Sequence, residues 1–194
     1  MLLEVVPMQL QFTVASNTQT TIEIPYVQGT SFTIDWGDGF TETSAGSNNR
    51  TVSHTYNDGT NTNVTNPTVS INAQGDASPM TGFDFGTGGS KTLLIDIPAW
   101  GNTPFTRFRQ LLHGCSNLNT LSATDAPILS GVTNFYAAFN GTGTMGNADL
   151  TSWDMSSATY TGYMFQSSQF NGNISNWEVI NVTNMAYMFQ NTVF

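Results

Sequence analysis

Between Met8 and Ala73 apolar and polar residues alternate in short bursts. Met8, Leu10, Phe12 and Val14 mark one burst; Ile22, Ile24 and Tyr26 a second; Phe32, Ile34 and Trp36 a third. A period of two belongs to a strand with one buried face. Segments 52–56 and 68–73 repeat the pattern. Gly-, Asn- and Asp-rich clusters separate the bursts, notably Gly37-Asp38-Gly39, Asn57-Asp58-Gly59 and the run 86–89. Short strands divided by turn residues predict an antiparallel β-sandwich over 8–86, with residues 1–7 as an N-terminal arm.

After residue 91 the pattern changes. A bulky anchor is followed twelve positions later by an apolar residue that closes a short run: Trp100 and Leu112, Pro127 and Phe139, Trp153 and Phe165, Trp177 and Phe189. The closing residues lie 27, 26 and 24 positions apart. A period in the twenties is the mark of a solenoid, whose units bury their apolar faces only against one another. Within each run the positions expected to face inward fall at i, i+3 and i+4: Phe108/Leu111/Leu112, Phe135/Ala138/Phe139, Thr161/Met164/Phe165 and Met185/Met188/Phe189. That spacing predicts one face of a short helix, with Thr133-Asn134 and Thr183-Asn184 as caps. Extended stretches at 93–97, 148–150 and 172–174 precede the anchors. The residues three before each anchor (Ile97, Thr124, Leu150, Ile174) are expected to point inward. The predicted unit over 91–194 is strand, turn, short helix, turn.

Composition narrows the partners. Only 9% of residues are charged, against about a quarter in an ordinary soluble domain, so solubility falls to Thr, Asn, Ser and Gly. The net charge is −9, and the cations are Arg50, Lys91, Arg107 and Arg109. Nucleic-acid binding needs cations to displace condensed counterions, so no nucleic-acid partner is expected, nor an anionic membrane surface. No apolar run approaches the ~20 residues of a bilayer span, so membrane insertion is not expected. The N-terminal residues carry Glu4 and Pro7 without a basic segment, unlike a secretory signal.

The candidate chemistry is sparse. Cys115 is the single cysteine, so no intrachain disulfide forms. His113 and Cys115 are two residues apart and share no useful face; Cys115 reads as a buried residue at a turn. Asp35 and Asp38 supply too few oxygens for calcium, which wants six to eight, and they read as acceptors for turn amides. His54 reads as a hydrogen-bonded residue of the sheet region. The run 86–92 lacks the second glycine of a phosphate loop and meets Pro98 too soon for a long helix, so it reads as a linker turn. Asp96, Asp125, Asp149 and Asp154 track the repeat and read as turn residues. Asn181-Val182-Thr183 matches a glycosylation sequon at the start of a predicted helix. No catalytic, metal or cofactor site is expected.

Two sets of words in the chain resemble known families. Asp35-Trp36-Gly37-Asp38-Gly39, followed by His54-Thr55-Tyr56, resembles the polycystic-kidney-disease (PKD) type of immunoglobulin-like sandwich, although the stretch 57–67 is longer than usual there. The segments 181–189, 170–177 and 114–118, with Ala123-Thr124-Asp125-Ala126-Pro127, resemble the repeats of BspA-like leucine-rich-repeat surface proteins. The resemblance implies a mainly β fold: an N-terminal antiparallel PKD/Ig-like β-sandwich followed by a leucine-rich-repeat-like strand–helix solenoid of about four repeats. The structural anchors are Trp100, Leu112, Phe139, Trp153, Phe165, Trp177 and Phe189.

The resemblance further implies a non-enzymatic surface protein that adheres to proteins or cells, with no catalytic residues to carry over. Without a secretory signal, the expectation is a virion component, such as a phage head-decoration, head-fibre or tail-fibre protein. The alternative is a bacterial or protist surface adhesin that lacks its signal or anchor. Partners would be particle-surface proteins, a host receptor or glycan, and further copies of the chain, at the virion surface or outside the cell. Tyr136, Tyr160, Tyr163 and Tyr187 are the candidate exposed binding ladder, because tyrosine offers large contact area at small entropic cost. The fourth unit is open at Phe194, so it is expected either to continue or to be covered by a partner.

Overall fold

The computed structural model describes residues 6–29, 31–45, 49–60, 63–73 and 81–193. The expected arm at 1–7 therefore lies mostly outside the described residues, and Phe194 lies outside them. Seven strands are present: β1 (Met8–Phe12), β2 (Thr20–Val27), β3 (Ser31–Asp35), β4 (Thr41–Ala45), β5 (Arg50–Tyr56), β6 (Thr68–Ala73) and β7 (Leu94–Ala99). They form a five-stranded sheet in the order β4-β3-β6-β1-β7 and a two-stranded sheet of β2 and β5. All pairings are antiparallel. The fold is thus mainly β, and among the described residues the only helical segments are three single 3-10 turns.

The alternating residues set these strands. Met8, Leu10 and Phe12 of β1, Ile22 and Ile24 of β2, Phe32 and Ile34 of β3, and Val69 and Ile71 of β6 are all buried. They join a single core that runs on into the repeats. β4 escapes the sequence pattern because Thr41, Glu42 and Thr43 are all polar. It is an edge strand held by its register with β3, from Ser31 opposite Ala45 to Asp35 opposite Thr41.

The Asp35–Gly39 turn closes β3 onto β4. Asp35 accepts the Gly37 amide (2.9 Å), and Asp38 accepts the Phe40 amide (3.0 Å). The second oxygen of Asp38 meets His54 Nε2 at 2.7 Å. The His54 ring is stacked between Trp36 and Phe40 and edge-on to Tyr56. The buried Tyr56 hydroxyl donates to the Trp36 carbonyl at 2.7 Å. Burial, with the charges of Asp38 and Asp35, pushes the Tyr56 phenol well above its usual range, so this donor stays protonated. Gly37 is required twice over: its φ is +79°, and a Cβ there would lie 2.5 Å from the Thr68 carbonyl oxygen.

The middle of the chain is packed into the core. Phe83 and Phe85, just before the expected linker turn 86–92, are fully buried, and the Phe85 amide donates to the Leu111 carbonyl. β7, from the second half of the chain, is hydrogen-bonded to β1. Backbone pairing therefore crosses the sequence boundary between 86 and 91.

The repeats also differ from expectation, because their runs are not helices. Each is a rung of three overlapping i to i+3 turns, such as Phe135–Ala138, Ala137–Asn140 and Phe139–Thr142. Alternate amides leave the rung. Those of 135, 137, 139 and 141 donate to carbonyls of 160, 162, 164 and 166; those of 161, 163, 165 and 167 donate to 184, 186, 188 and 190. An α-helix would turn these amides back to carbonyls four residues earlier; here half of them stitch one rung to the next. The backbone alternates to match. Gln110, Ala137, Tyr163 and Tyr187, and four positions later Gly114, Gly141, Ser167 and Asn191, have positive φ. Asn134 and Asn184 do cap these runs, by accepting the amides of Tyr136 and Ala186 at 2.9 Å. The expected strands at 148–150 and 172–174 reduce to one parallel bridge between Asp149 and Asn173.

Inside the stack Phe139, Phe165 and Phe189 lie nearly parallel, with centroids 5.1 and 5.7 Å apart. Trp100, Leu112, Trp153 and Trp177 are buried beside them. The inward expectation fails in three places. Thr124 is exposed. In the fourth rung Met185 (44%) and Phe189 (36%) are exposed, because no described rung lies beyond them.

Two outcomes test this backbone. Ser167→Gly should raise stability by about 1 kcal/mol, because glycine relieves a left-handed residue; in a helix the same change would cost about 0.5 kcal/mol. Chemical denaturation reads the sign. Gly172→Ala should destabilise by roughly 1–3 kcal/mol, because its Cβ would meet the Ala148 oxygen at 2.2 Å; an unchanged melting temperature would refute the close packing between the third and fourth repeats.

Candidate recognition face

The outer edge of the rungs carries the tyrosines. Tyr136 and Tyr163 have ring centroids 5.5 Å apart, and Tyr163 and Tyr187 5.0 Å. Tyr160 lies 5.9 Å from Tyr136, and its ring covers Gly162, where a Cβ would come within 2.8 Å of it. All four candidate tyrosines therefore gather on one face. Tyr136, Tyr160 and Tyr163 are half-buried against one another, while Tyr187 is 54% exposed. The tyrosines do not occupy one repeat position: Tyr136 stands where Gly162 and Ala186 stand in later rungs, and Tyr163 where Ala137 stands in the rung before. Tyr136 meets Tyr163 across adjacent positions of successive rungs, whereas Tyr163 and Tyr187 share one position.

Arg109 completes the column at its first-rung end, its guanidinium 5.1 Å above the Tyr136 ring. Beside it opens a cleft of about 260 Å³ lined by Gln28, Thr106, Arg107, Arg109, Thr133 and Asn134. Arg107 pairs with the buried Asp84 and lies 4.8 Å over Tyr26. Asp84 also accepts the Gly86 amide at 2.8 Å. Arg107 Nε is buried without an acceptor among the described residues. Sequence reasoning did not select this cleft. The available signal was that Arg107 and Arg109 are two of only four cations in the chain.

The other candidate residues act on the backbone. Asp96 accepts the Ser122 amide and hydroxyl at 2.9 and 2.6 Å. Asp125 accepts the amides of Trp100 (3.0 Å) and Gly101 (2.8 Å), fastening two units together. Asp149 and Asp154 accept the amides two residues on; hydrogen bonds from the Thr151 and Ser156 side chains, and then from those amides, hold the two carboxyls below their usual range. Cys115 is fully buried, and burial pushes its thiol far up, leaving little thiolate for nucleophilic chemistry. His113 is pulled down, first by burial and then by Lys91. A second column runs through side-chain amides, Asn140 to Gln166 (2.8 Å) and on to Gln190. Among the described residues no cluster of His, Cys, Asp and Glu is placed to hold a metal, and no helix is long and apolar enough to cross a membrane.

Comparison with known proteins places this stack of rungs in a family. The model for DUF285, described as "Mycoplasma protein of unknown function", matches residues 85–194. The match spans more than half of the chain, which therefore belongs to that family. It starts at Phe85, the residue that hydrogen-bonds to the first rung, and covers the whole tyrosine column. Neither the curated proteins nor the solved structures yield a match.

The column can be tested by its titration. The Tyr163 phenol is raised, first by partial burial and then by the nearby phenols of Tyr187, Tyr136 and Tyr160. Removing a neighbouring phenolate removes repulsion, so Tyr187→Phe should move Tyr163 ionisation to lower pH. Absorbance at the phenolate band would read this shift; an unmoved upper limb of the titration would refute the stacking.

Proposed function

We propose that the chain is a non-enzymatic recognition protein displayed on a surface, most concretely a virion component of the head-decoration or fibre kind. The observation that carries the reading is the tyrosine column, a contact surface fixed by the hydrogen-bonded rungs beneath it. Tyrosines held in this way lose little entropy on binding, which favours recognition. The polar, weakly charged composition fits a protein that works outside the cytosol. In this reading 8–86 is a PKD/Ig-like β-sandwich that docks to the particle, and 91–194 is a BspA-like repeat region that faces outward, its rungs built from turns. Partners would be particle proteins, a host receptor or glycan, and further copies of the chain.

A second reading, a bacterial or protist cell-surface adhesin, is favoured by one observation: the family description names Mycoplasma, a cellular source. The carrier separates the two. Antibody labelling of purified particles in electron micrographs should find the protein on the virion exterior. Labelling confined to intact cells, with loss on surface proteolysis, would replace the virion with the adhesin. Detection only in soluble extract would sink both.

A further inference from the structure

The cleft beside Arg109 has the makings of a ligand site, and its chemistry says which kind. In a chain with net charge −9, two of the four cations line this one depression. Of the two, Arg109 is the one left for a ligand. Arg107 gives one terminal nitrogen to Asp84, while its buried Nε–H meets no acceptor among the described residues. Arg109 forms no ion pair among the described residues; the Tyr136 ring supports its plane. Stacking of that kind orients a guanidinium and leaves its N–H edges directed outward for a planar anion. A carboxylate matches that fork. The acidic remainder of the protein works against polyanions and dianions, and so favours a ligand with isolated single charges.

The rest of the lining points to a sugar. Thr106, Thr133, Gln28 and Asn134 line it with hydroxyl- and amide-bearing side chains, groups that both donate and accept; the Thr106 hydroxyl also donates to Thr81 (3.0 Å) and the Gln28 amide to Asn49 (3.4 Å). Asn134 already holds the Tyr136 amide with its oxygen, which leaves its NH2 for a ligand. The only apolar member is Phe108, which is fully buried. A peptide would want an apolar pocket for its side chains, and this cleft supplies none. Beyond Arg109 the phenols of Tyr136, Tyr163 and Tyr187 continue the polar, aromatic track along the rungs.

We propose that the cleft formed by Arg107, Arg109, Thr106, Thr133, Asn134 and Gln28 binds a carboxylate-bearing sugar residue of a glycan, whose further residues lie along the tyrosine column. This deepens the reading of the face as a recognition surface and rests on it, but it does not depend on whether a virion or a cell carries the protein. Arg109 holds the carboxylate, the Arg107 guanidinium adds positive charge beside it, and the threonine and amide side chains bind the ring hydroxyls.

Calorimetric titration of the full chain with 3′-sialyllactose, a hyaluronan tetrasaccharide, lactose and a hexaglutamate peptide tests this. At least one of the two carboxylated sugars should bind, and lactose should bind about tenfold more weakly or worse, the worth of one charge-assisted contact. Arg109→Gln should weaken the bound sugar about tenfold or more at an unchanged melting temperature, and Arg109→Lys should recover part of the loss. Tyr163→Ala should weaken the tetrasaccharide or trisaccharide less than Arg109→Gln does. The proposal is overturned if neither acidic sugar binds, if lactose or the peptide binds equally well, or if Arg109→Gln leaves affinity unchanged in a folded protein. Particle labelling is independent of all these outcomes, so the glycan can fail while surface display stands.

Discussion

Much of this molecule depends on how the rungs divide their amides. One set of N–H groups closes turns within a rung, and the alternate set reaches the carbonyls of the next. A rung therefore cannot satisfy its own backbone, and a buried amide without an acceptor is costly. Each rung needs its successor for hydrogen bonds and for burial of its phenylalanine. The left-handed residues at Ala137, Tyr163 and Tyr187 follow from the same constraint, since a continuous right-handed helix would draw the outward amides back inside. Stacking offsets their strain, which a lone run of five residues would not sustain.

The first end of the stack is closed by the β region. The 81–88 segment lays Phe83 and Phe85 over the first rung and supplies the amide that meets Leu111. β7 then enters the five-stranded sheet beside β1. The sheets and rungs share one core, so the cleft between Gln28 and the first two rungs has walls drawn from both. This junction positions Arg107: Asp84 on the closing segment holds one side of its guanidinium, and Tyr26 at β2 underlies it. The other end carries Met185, Tyr187 and Phe189 toward solvent in the described chain.

Much of the framework was legible in the residues. The period-two segments marked five of the seven strands, and the anchor spacing found all four rungs with most of their buried positions. The Asp-Gly turn and the Asn caps were visible because their chemistry is local: a carboxylate or amide reaches an N–H two residues away. β4 was not legible, because an edge strand of threonine and glutamate carries no apolar signal. The helices were misread for a related reason. Spacing at i, i+3 and i+4 reports only that those side chains share a side, and a chain of overlapping turns puts them there as well as a helix does. The four tyrosines were chosen as exposed aromatics, yet three are half-buried by one another. The arginines of the cleft were noticed only as scarce charges.

By itself the sequence determined which residues are apolar, where turns must fall and how often the unit recurs, because hydrophobic pattern and turn chemistry act over a few residues. Tertiary structure alone decided whether each amide bonded within its rung or beyond it, since the competing acceptors lie some 25 residues away. It also decided that Arg109 should lie on Tyr136 and that Arg107 should be shared between Asp84 and a cleft. Those contacts join residues from different elements, and no local pattern records which distant partner a long side chain will reach.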